Sequence, residues 1–155
     1  MQIDFRNPIP EDVNWLAERL REHDRKELIA STGQDPAVAL AASMALGSCL
    51  VVECDREPVA VLGLPVVSQL PRTGVPWMLG TDWLDDHPAV FGRYSSTIVE
   101  SWMSRVDRMV NYVDSRNRKA VDWLSWLGFD IEDAEPHGPY GVPFHKFTWE
   151  RGRYV

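Results

Sequence analysis

The chain has 155 residues, with 16 Lys and Arg against 23 Asp and Glu, which gives a formal net charge of −7. Hydrophobic residues make up 45% of the sequence and charged residues 25%, a balance that fits one globular domain with a real core and excludes wholesale disorder. Acidic residues outnumber basic ones, and no basic run exceeds two residues. A nucleic acid is therefore not expected as the main partner.

The sequence shows neither a membrane span nor a secretory signal. Its longest nearly apolar stretch, 37–46, is far shorter than the roughly 20 apolar residues that a transmembrane helix needs. The segment 1–5 lacks the basic start and apolar core of a signal peptide, so a cytoplasmic location is expected. The odd spacing of Cys49 and Cys54 on a strand points them to opposite faces, and both are expected to be buried and unpaired.

Apolar periodicity and turn residues predict the elements in chain order. The first half is a strand at 3–5, a helix from Glu11 or Asp12 with apolar positions up to Leu28, a helix opened by Asp35 and Pro36 and closed by Gly47, antiparallel strands at 48–53 and 59–64, and a loop at 68–74. The second half is a strand at 75–81, a helix from Pro88 to near Asp107, a strand at 109–113, a helix from Asn117 or Arg118 to Gly128, a strand from Phe129, a turn at 135–141 and a strand at 144–149.

One acidic residue interrupts the apolar stripe of the first predicted helix. At about 100° per residue, Asp24 points to the same side as Val13, in the middle of the apolar face. Two interpretations fit: a carboxylate where the helix end leaves the core or pairs with Arg21 or Arg25, or a carboxylate that lines a cleft.

The order β α α β β β α β α β β has no linker, repeat or low-complexity segment. It predicts a single α+β domain over residues 1–155 with a central mixed sheet. No His-x-x-x-His or Cys-x-x-Cys spacing is present, so no metal site is expected.

In the C-terminal half, a predicted strand is followed by Asn117, Ala120, Leu124 and the pair Gly128-Phe129. This spacing resembles the motif of the GNAT acyltransferases, in which an aromatic residue is usual at the position of Leu124. Across nearly the whole chain, five segments are similar to GNAT-like proteins of tailed phages, relatives of a podovirus protein linked to internal-virion assembly. These segments are 20–28, 79–82, 111–114, 123–129 and 141–144.

The resemblance implies a GNAT-like fold, with a mixed sheet of about seven strands flanked by four helices. It also implies an acyltransferase that uses acetyl-CoA or another acyl-CoA on an amine that the sequence does not identify. A phage protein of this kind is expected in the host cytoplasm or associated with the virion. Its partners there would be virion or host proteins.

Site residues follow from the same resemblance. Asp82, at the end of the strand 75–81, and Asp24 are the candidate catalytic bases, because acyl transfer needs a group that takes the proton of the attacking amine. Thr81, Arg93 and Asn117 are the candidate cofactor-binding residues. The position of Asn117 between a strand and a helix also predicts that its side chain caps the helix.

The sequence departs from the GNAT pattern at two points. Asp85 and Asp86 replace the Gln/Arg-x-x-Gly-x-Gly/Ala loop that holds the pyrophosphate, and we expect them to cap the following helix and repel phosphate. Leu124 stands where many GNAT enzymes have a proton-donating tyrosine. Tyr94, Tyr112 and Tyr140 are the candidates to replace that general acid.

These departures keep a second class of function open, a non-catalytic GNAT-fold protein that acts in virion assembly or binds a phage or host protein through an acidic surface. The seven tryptophans fit that reading, because tryptophan is common at protein contacts as well as in cores. Trp123 and Trp126 share a side of the last helix and are predicted to pack against the sheet, with an exposed anchor as the alternative.

Overall fold

Two β-sheets with helices on both faces form the computed structural model, which describes residues 1–152. The helices are α1 (Glu11–Arg19), α2 (Glu22–Thr32), α3 (Pro36–Ala45), α4 (Trp83–Asp86), α5 (Pro88–Met103) and α6 (Arg118–Trp126). The strands are β1 (Ile3–Arg6), β2 (Cys49–Cys54), β3 (Glu57–Gly63), β4 (Val66–Gln69), β5 (Arg72–Gly74), β6 (Trp77–Gly80), β7 (Arg108–Asp114), β8 (Asp130–Ile131), β9 (Glu135–His137) and β10 (Val142–Glu150).

The strands form two separate sheets. The first has the antiparallel order β1-β2-β3-β6, and the second has the order β4-β5-β7-β10-β8, with β9 on β10. Strand β5 pairs in parallel with β7 through Thr73 and Gly74. After Pro76 the chain continues as β6, which pairs with β3 of the other sheet, so β6 and β7 diverge.

Each face of the divided sheet has its own core. Leu16, Leu28, Leu40, Val61 and Leu79 belong to the cluster under α1, α2 and α3. Val99, Trp102, Met109, Leu124 and Phe147 belong to the cluster under α5 and α6. Because side chains alternate along a strand, β6 contributes Leu79 to the first cluster and packs Met78 against the second.

The single first helix predicted from the sequence is wrong, because the structure has two helices, α1 and α2. Leu20 and Arg21 between them are extended, with ψ of 142° and 148°. The Arg21 amide donates to the Gly80 carbonyl oxygen at 2.9 Å, and Leu20 forms a β-bridge with Thr81. Pairing with the end of β6 therefore replaces helical hydrogen bonds at a place where the apolar periodicity continues.

Strand pairing between distant segments also explains the other differences between the predicted and the observed elements. The predicted loop at 68–74 contains the hairpin β4–β5, and the predicted turn at 135–141 contains β9, which pairs with β10. The described residues thus form ten strands and six helices, against about seven and four expected. The helix closed by Gly47, the hairpin β2–β3, the strand β7 and the last helix are confirmed.

Candidate functional site

A cavity of about 420 Å³ passes through the gap between β6 and β7 and reaches both faces of the divided sheet. Near the start of the gap, the Asn111 side-chain amide donates to the Pro76 carbonyl oxygen at 2.8 Å. Pro76 has no N–H group for a ladder hydrogen bond. The gap therefore begins where a proline interrupts one strand and a side chain of the other strand satisfies the proline carbonyl group.

The two ends of the cavity differ in chemistry. On the α2 face, Arg21, Asp24, Glu27 and Asp85 line what we call the carboxylate end. On the α5 and α6 face, we call the part lined by the following residues the apolar end: Ile98, Val99, Trp102, Leu124, Phe129 and Phe147.

One face of α2 forms a wall of the carboxylate end. Asp24, Glu27, Leu28 and Ser31 follow the i, i+3, i+4, i+7 spacing of a single helix face, and all four line the cavity. The wall combines two carboxyl groups with one apolar side chain and one hydroxyl group. The helix geometry thus brings acidic groups to the gap between the strands.

Glu27 is a titratable group of the carboxylate end whose pKa this environment shifts toward neutral pH. Its Oε1 accepts a hydrogen bond from the Asp114 amide at 2.8 Å. Burial raises the pKa of Glu27 to about 8, and the negative charges of Asp24 and Asp114 add to the rise. Burial alone would raise the pKa of Asp114, but hydrogen bonds from Arg116 hold this pKa below its usual value. Glu27 therefore exchanges a proton near neutral pH beside a carboxylate that stays charged.

Asp24 is held by a buried network. Its Oδ2 accepts from Arg21 Nη2 at 2.9 Å and from the Gly80 amide at 2.8 Å. Arg21 Nη1 also contacts Asp85 Oδ1 at 3.1 Å. Burial raises the pKa of Asp24, while the charge of Arg21 opposes the rise. Asp24 therefore both pairs with Arg21 and lines the cavity, so each of the two sequence interpretations describes part of its environment.

The structure places two other sequence candidates outside the set of cavity-lining residues. Asp82 is exposed at the residue before α4. Thr81 is buried, and its hydroxyl group donates to the Val59 carbonyl oxygen at 3.1 Å.

Of the other two cofactor-binding candidates, Asn117 lines the cavity and Arg93 does not. Arg93 is exposed on α5, with its guanidinium carbon 5.6 Å from the ring centroid of Tyr94, and does not line the cavity. Asn117 lines the cavity and caps α6, because its side chain accepts from the Ala120 amide at 3.3 Å. The predicted capping role of Asn117 is confirmed. Lys119, which the sequence analysis did not single out, is exposed on the first turn of α6 and lines the cavity.

The expectation that Asp85 and Asp86 cap the helix after them is wrong. They belong to the separate short helix α4, and the residue that precedes α5 is His87, which makes no side-chain capping hydrogen bond. Asp85 turns to Arg21 instead. The physical reason is that a buried arginine in the neighbouring helix break attracts a carboxylate more strongly than exposed amide groups do.

The structure distinguishes the three candidate tyrosines. Tyr112, on β7, lines the cavity and stacks on His137 with ring centroids 4.0 Å apart. Tyr94 and Tyr140 are not among the described residues that line this cavity. His137 is placed by β9, where it pairs with Val142 of β10.

The two tryptophans of α6 have different environments. Trp123 packs on Phe91 with ring centroids 5.2 Å apart, and its indole N–H donates to Ser95 Oγ at 3.2 Å. Trp126 is 65% exposed. The predicted packing is therefore confirmed for Trp123 and wrong for Trp126, because a spacing of three residues spreads side chains by about 60° around a helix.

Within residues 1–152, no group of three or more His, Cys, Asp or Glu side chains has a metal-binding arrangement. In the same part of the chain, no helix combines the length and apolar character of a transmembrane segment.

Solved structures share this architecture. AAC(6')-Ib bound to ribostamycin and coenzyme A superposes with a TM-score of 0.70 and 14% identity, over 99% of this chain and 96% of the other. Spermidine N-acetyltransferase from Vibrio cholerae, bound to CoA and spermine, has a TM-score of 0.65 and 16% identity, over 99% of this chain and 98% of the other. A GNAT-family acetyltransferase from Streptococcus pneumoniae has a TM-score of 0.59 and 14% identity, over 96% of this chain and 99% of the other. No protein-family model and no curated protein sequence matches the chain. The chain has the GNAT fold, as the sequence resemblance predicted.

Proposed function

We propose that the protein is an N-acyltransferase that moves an acyl group from acyl-CoA to a primary amine. The observation that carries this proposal is the cavity between β6 and β7, which has Glu27 at one end and an apolar pocket at the other. The fold adds support, since structures of this architecture hold CoA together with spermine or ribostamycin.

The acyl-CoA donor fits the gap for a physical reason. The pantetheine arm carries amide groups, and each of them needs a hydrogen-bond partner once water is removed. Beyond the pairing of Thr73 and Gly74 with β7, no described strand lies between the facing edges of β6 and β7, so backbone groups that Arg21, Asp24 and Glu27 do not occupy can bond to the arm. Lys119, at the α6 side of the cavity, supplies a positive charge for the phosphates, which is the role that the sequence assigned to Arg93.

The acceptor amine belongs at the carboxylate end. Its nitrogen attacks the thioester carbonyl carbon, a C–N bond forms and the C–S bond breaks. The proton lost by the nitrogen goes to Glu27, whose pKa of about 8 suits a general base near neutral pH. Asp24 acts as a positioning residue in this proposal, because Arg21 and the Gly80 amide already occupy its Oδ2.

The departing thiolate also needs a proton. Leu124 has none to give, and Tyr112 is the candidate tyrosine that lines the cavity. We assign Tyr112 as the general acid, which protonates the sulfur and is reprotonated through solvent by the proton that Glu27 received.

The proposal is tested by following thiol release from acetyl-CoA and hexanoyl-CoA with a panel of primary amines that includes spermine. We expect amine-dependent release whose rate rises with pH up to about 8, since the base must be deprotonated. Glu27→Gln should lower kcat by about 10²- to 10⁴-fold. Glu22→Gln, an exposed change on the same helix, should leave the rate unchanged.

Two results would contradict the proposal at different points. If Glu27→Gln is as active as the unaltered protein, Glu27 is not the base. If no amine promotes thiol release and calorimetry finds no CoA binding tighter than about 100 μM, the protein is not an acyltransferase.

A second candidate retains the fold without catalysis, a protein that acts in phage virion assembly or binds a phage or host protein, in the host cytoplasm or on the virion. Trp126 favours it, because a tryptophan that is 65% exposed is the kind of side chain that anchors protein contacts. Absence of CoA binding in the calorimetric experiment would support this candidate.

A further inference from the structure

The apolar end of the cavity is built from buried core side chains. Val99, Trp102, Leu124, Phe129 and Phe147 are between 5% and 8% exposed, and all belong to the core cluster under α5 and α6. Phe129 and Phe147 meet edge to face with ring centroids 5.2 Å apart. A cavity bounded by such residues is a pocket within the core.

Ser95 and Asn117, two polar side chains that line the same cavity, already have partners. Ser95 Oγ donates to the Gly92 carbonyl oxygen at 3.1 Å and accepts from the Trp123 indole. Asn117 is engaged in capping α6. A polar ligand placed here would lose its hydrogen bonds to water without replacement, whereas apolar cavities take up apolar ligands.

The pantetheine arm does not suit this pocket, because its amide groups would lose their hydrogen bonds to water among apolar side chains. The group attached to the thioester sulfur is the part of the donor that can extend from the gap into the core. The pocket is therefore placed to receive the acyl group.

We propose that the donor carries a linear acyl chain longer than acetyl, with its alkyl tail between Val99 of α5 and Leu124 of α6. This inference rests on the proposed acyltransferase function and specifies its donor.

Calorimetry with CoA, acetyl-CoA, butyryl-CoA, hexanoyl-CoA and octanoyl-CoA tests the proposal. Each buried methylene group should tighten binding by about fourfold until the pocket is full, so hexanoyl-CoA should bind at least about tenfold more tightly than acetyl-CoA. Flat or weakening affinity along the series, with CoA itself still bound, would overturn the long-chain donor and leave the acyltransferase function standing. Failure of every compound to bind would overturn both.

Two variants change the pocket in opposite directions. Val99→Phe should fill it and remove the gain with chain length, while CoA affinity stays the same. Val38→Phe, the matched change at an exposed site on α3, should leave the series unaltered. Leu124→Ala should enlarge the pocket and move the preferred chain to a longer one, which keeps the proposal testable if Val99→Phe fails to fold by circular dichroism. An unchanged preference in a folded variant of either kind would contradict the placement of the chain.

Discussion

Different interactions stabilise the carboxylate end and the apolar end of the cavity. The carboxylate end depends on a few charged groups brought together from the break between α1 and α2, from α4 and from β7. The apolar end depends on many packed side chains, none of which carries a charge. The comparison teaches that one substitution at the carboxylate end can leave a buried charge without its partner, whereas a substitution at the apolar end changes the buried apolar area and the cavity volume but no charge.

The largest effect is expected from Arg21→Ala, which leaves buried Asp24 and its neighbour Asp85 without their cation. We expect a loss of about 3–5 kcal/mol in the free energy of unfolding, measured by urea denaturation. Arg105→Ala, at an exposed arginine, serves as the control and should change the value by no more than about 0.5 kcal/mol. A loss below about 1 kcal/mol for Arg21→Ala would show that the network is not what stabilises this end.

Glu27→Gln is expected to have a smaller, pH-dependent effect on the free energy of unfolding. The folded pKa of Glu27, about 8, lies above its ordinary value of 4.5, so the folded protein binds the extra proton and loses stability as pH rises between these values. The glutamine variant has no charge to bury and should be more stable than the unaltered protein by about 1–3 kcal/mol at pH 9, a figure reduced for access of solvent to the cavity.

The two proteins should have nearly equal stability at pH 4, where the glutamate is neutral in the folded state and mostly neutral in the unfolded state. Equal stability at pH 9 as well would show that the Glu27 carboxyl group titrates normally. Glu22→Gln, on the exposed face of α2, should show no difference at either pH.

Asn117→Ala should cost about 0.5–2 kcal/mol of stability because it removes the cap of α6. Asn117→Ser preserves a capping oxygen and should recover most of the loss in thermal melting experiments. If both variants melt like the unaltered protein, the side chain contributes to ligand binding and not to the helix.

The smallest effect is expected from Lys119→Glu. A charge reversal on an exposed residue at the cavity mouth should weaken CoA binding by about two- to fivefold without changing stability, and the effect should shrink in 0.5 M salt. Lys26→Glu, with a 63% exposed side chain on α2, is the matched control. Identical CoA affinity for both variants would place the phosphates elsewhere.

Local sequence signals predicted most of the fold because periodicity, Pro36, Gly47 and Asn117 act through neighbouring residues. They failed where a distant strand supplied the hydrogen bonds, as at Leu20 and Arg21. A continuous apolar stripe cannot report such a break, since both helices bury the same face.

The candidate site was predictable in part. Asp24 was identified because it interrupts an apolar stripe, although the stripe belongs to two helices and not to one. Glu27 was missed because it follows Arg25 and Lys26 and resembles a solvated residue. Its spacing of three residues from Asp24 and one from Leu28 was the available signal. The pKa of Glu27 is raised chiefly by burial, which results from tertiary packing that no local pattern reveals.

The gap between the two sheets bears on the cooperativity of unfolding. Among the described residues no ladder pair joins β6 to β7, and the Thr73–Arg108 and Gly74–Met109 pairs lie within the second sheet, so each half of the divided sheet has its ladder partners within itself. Each half should therefore open as its own unit in amide hydrogen exchange, with the edges of β6 and β7 protected least. An extended ligand that bonds to both edges would act as the missing strand, and its binding would merge two cooperative units into one.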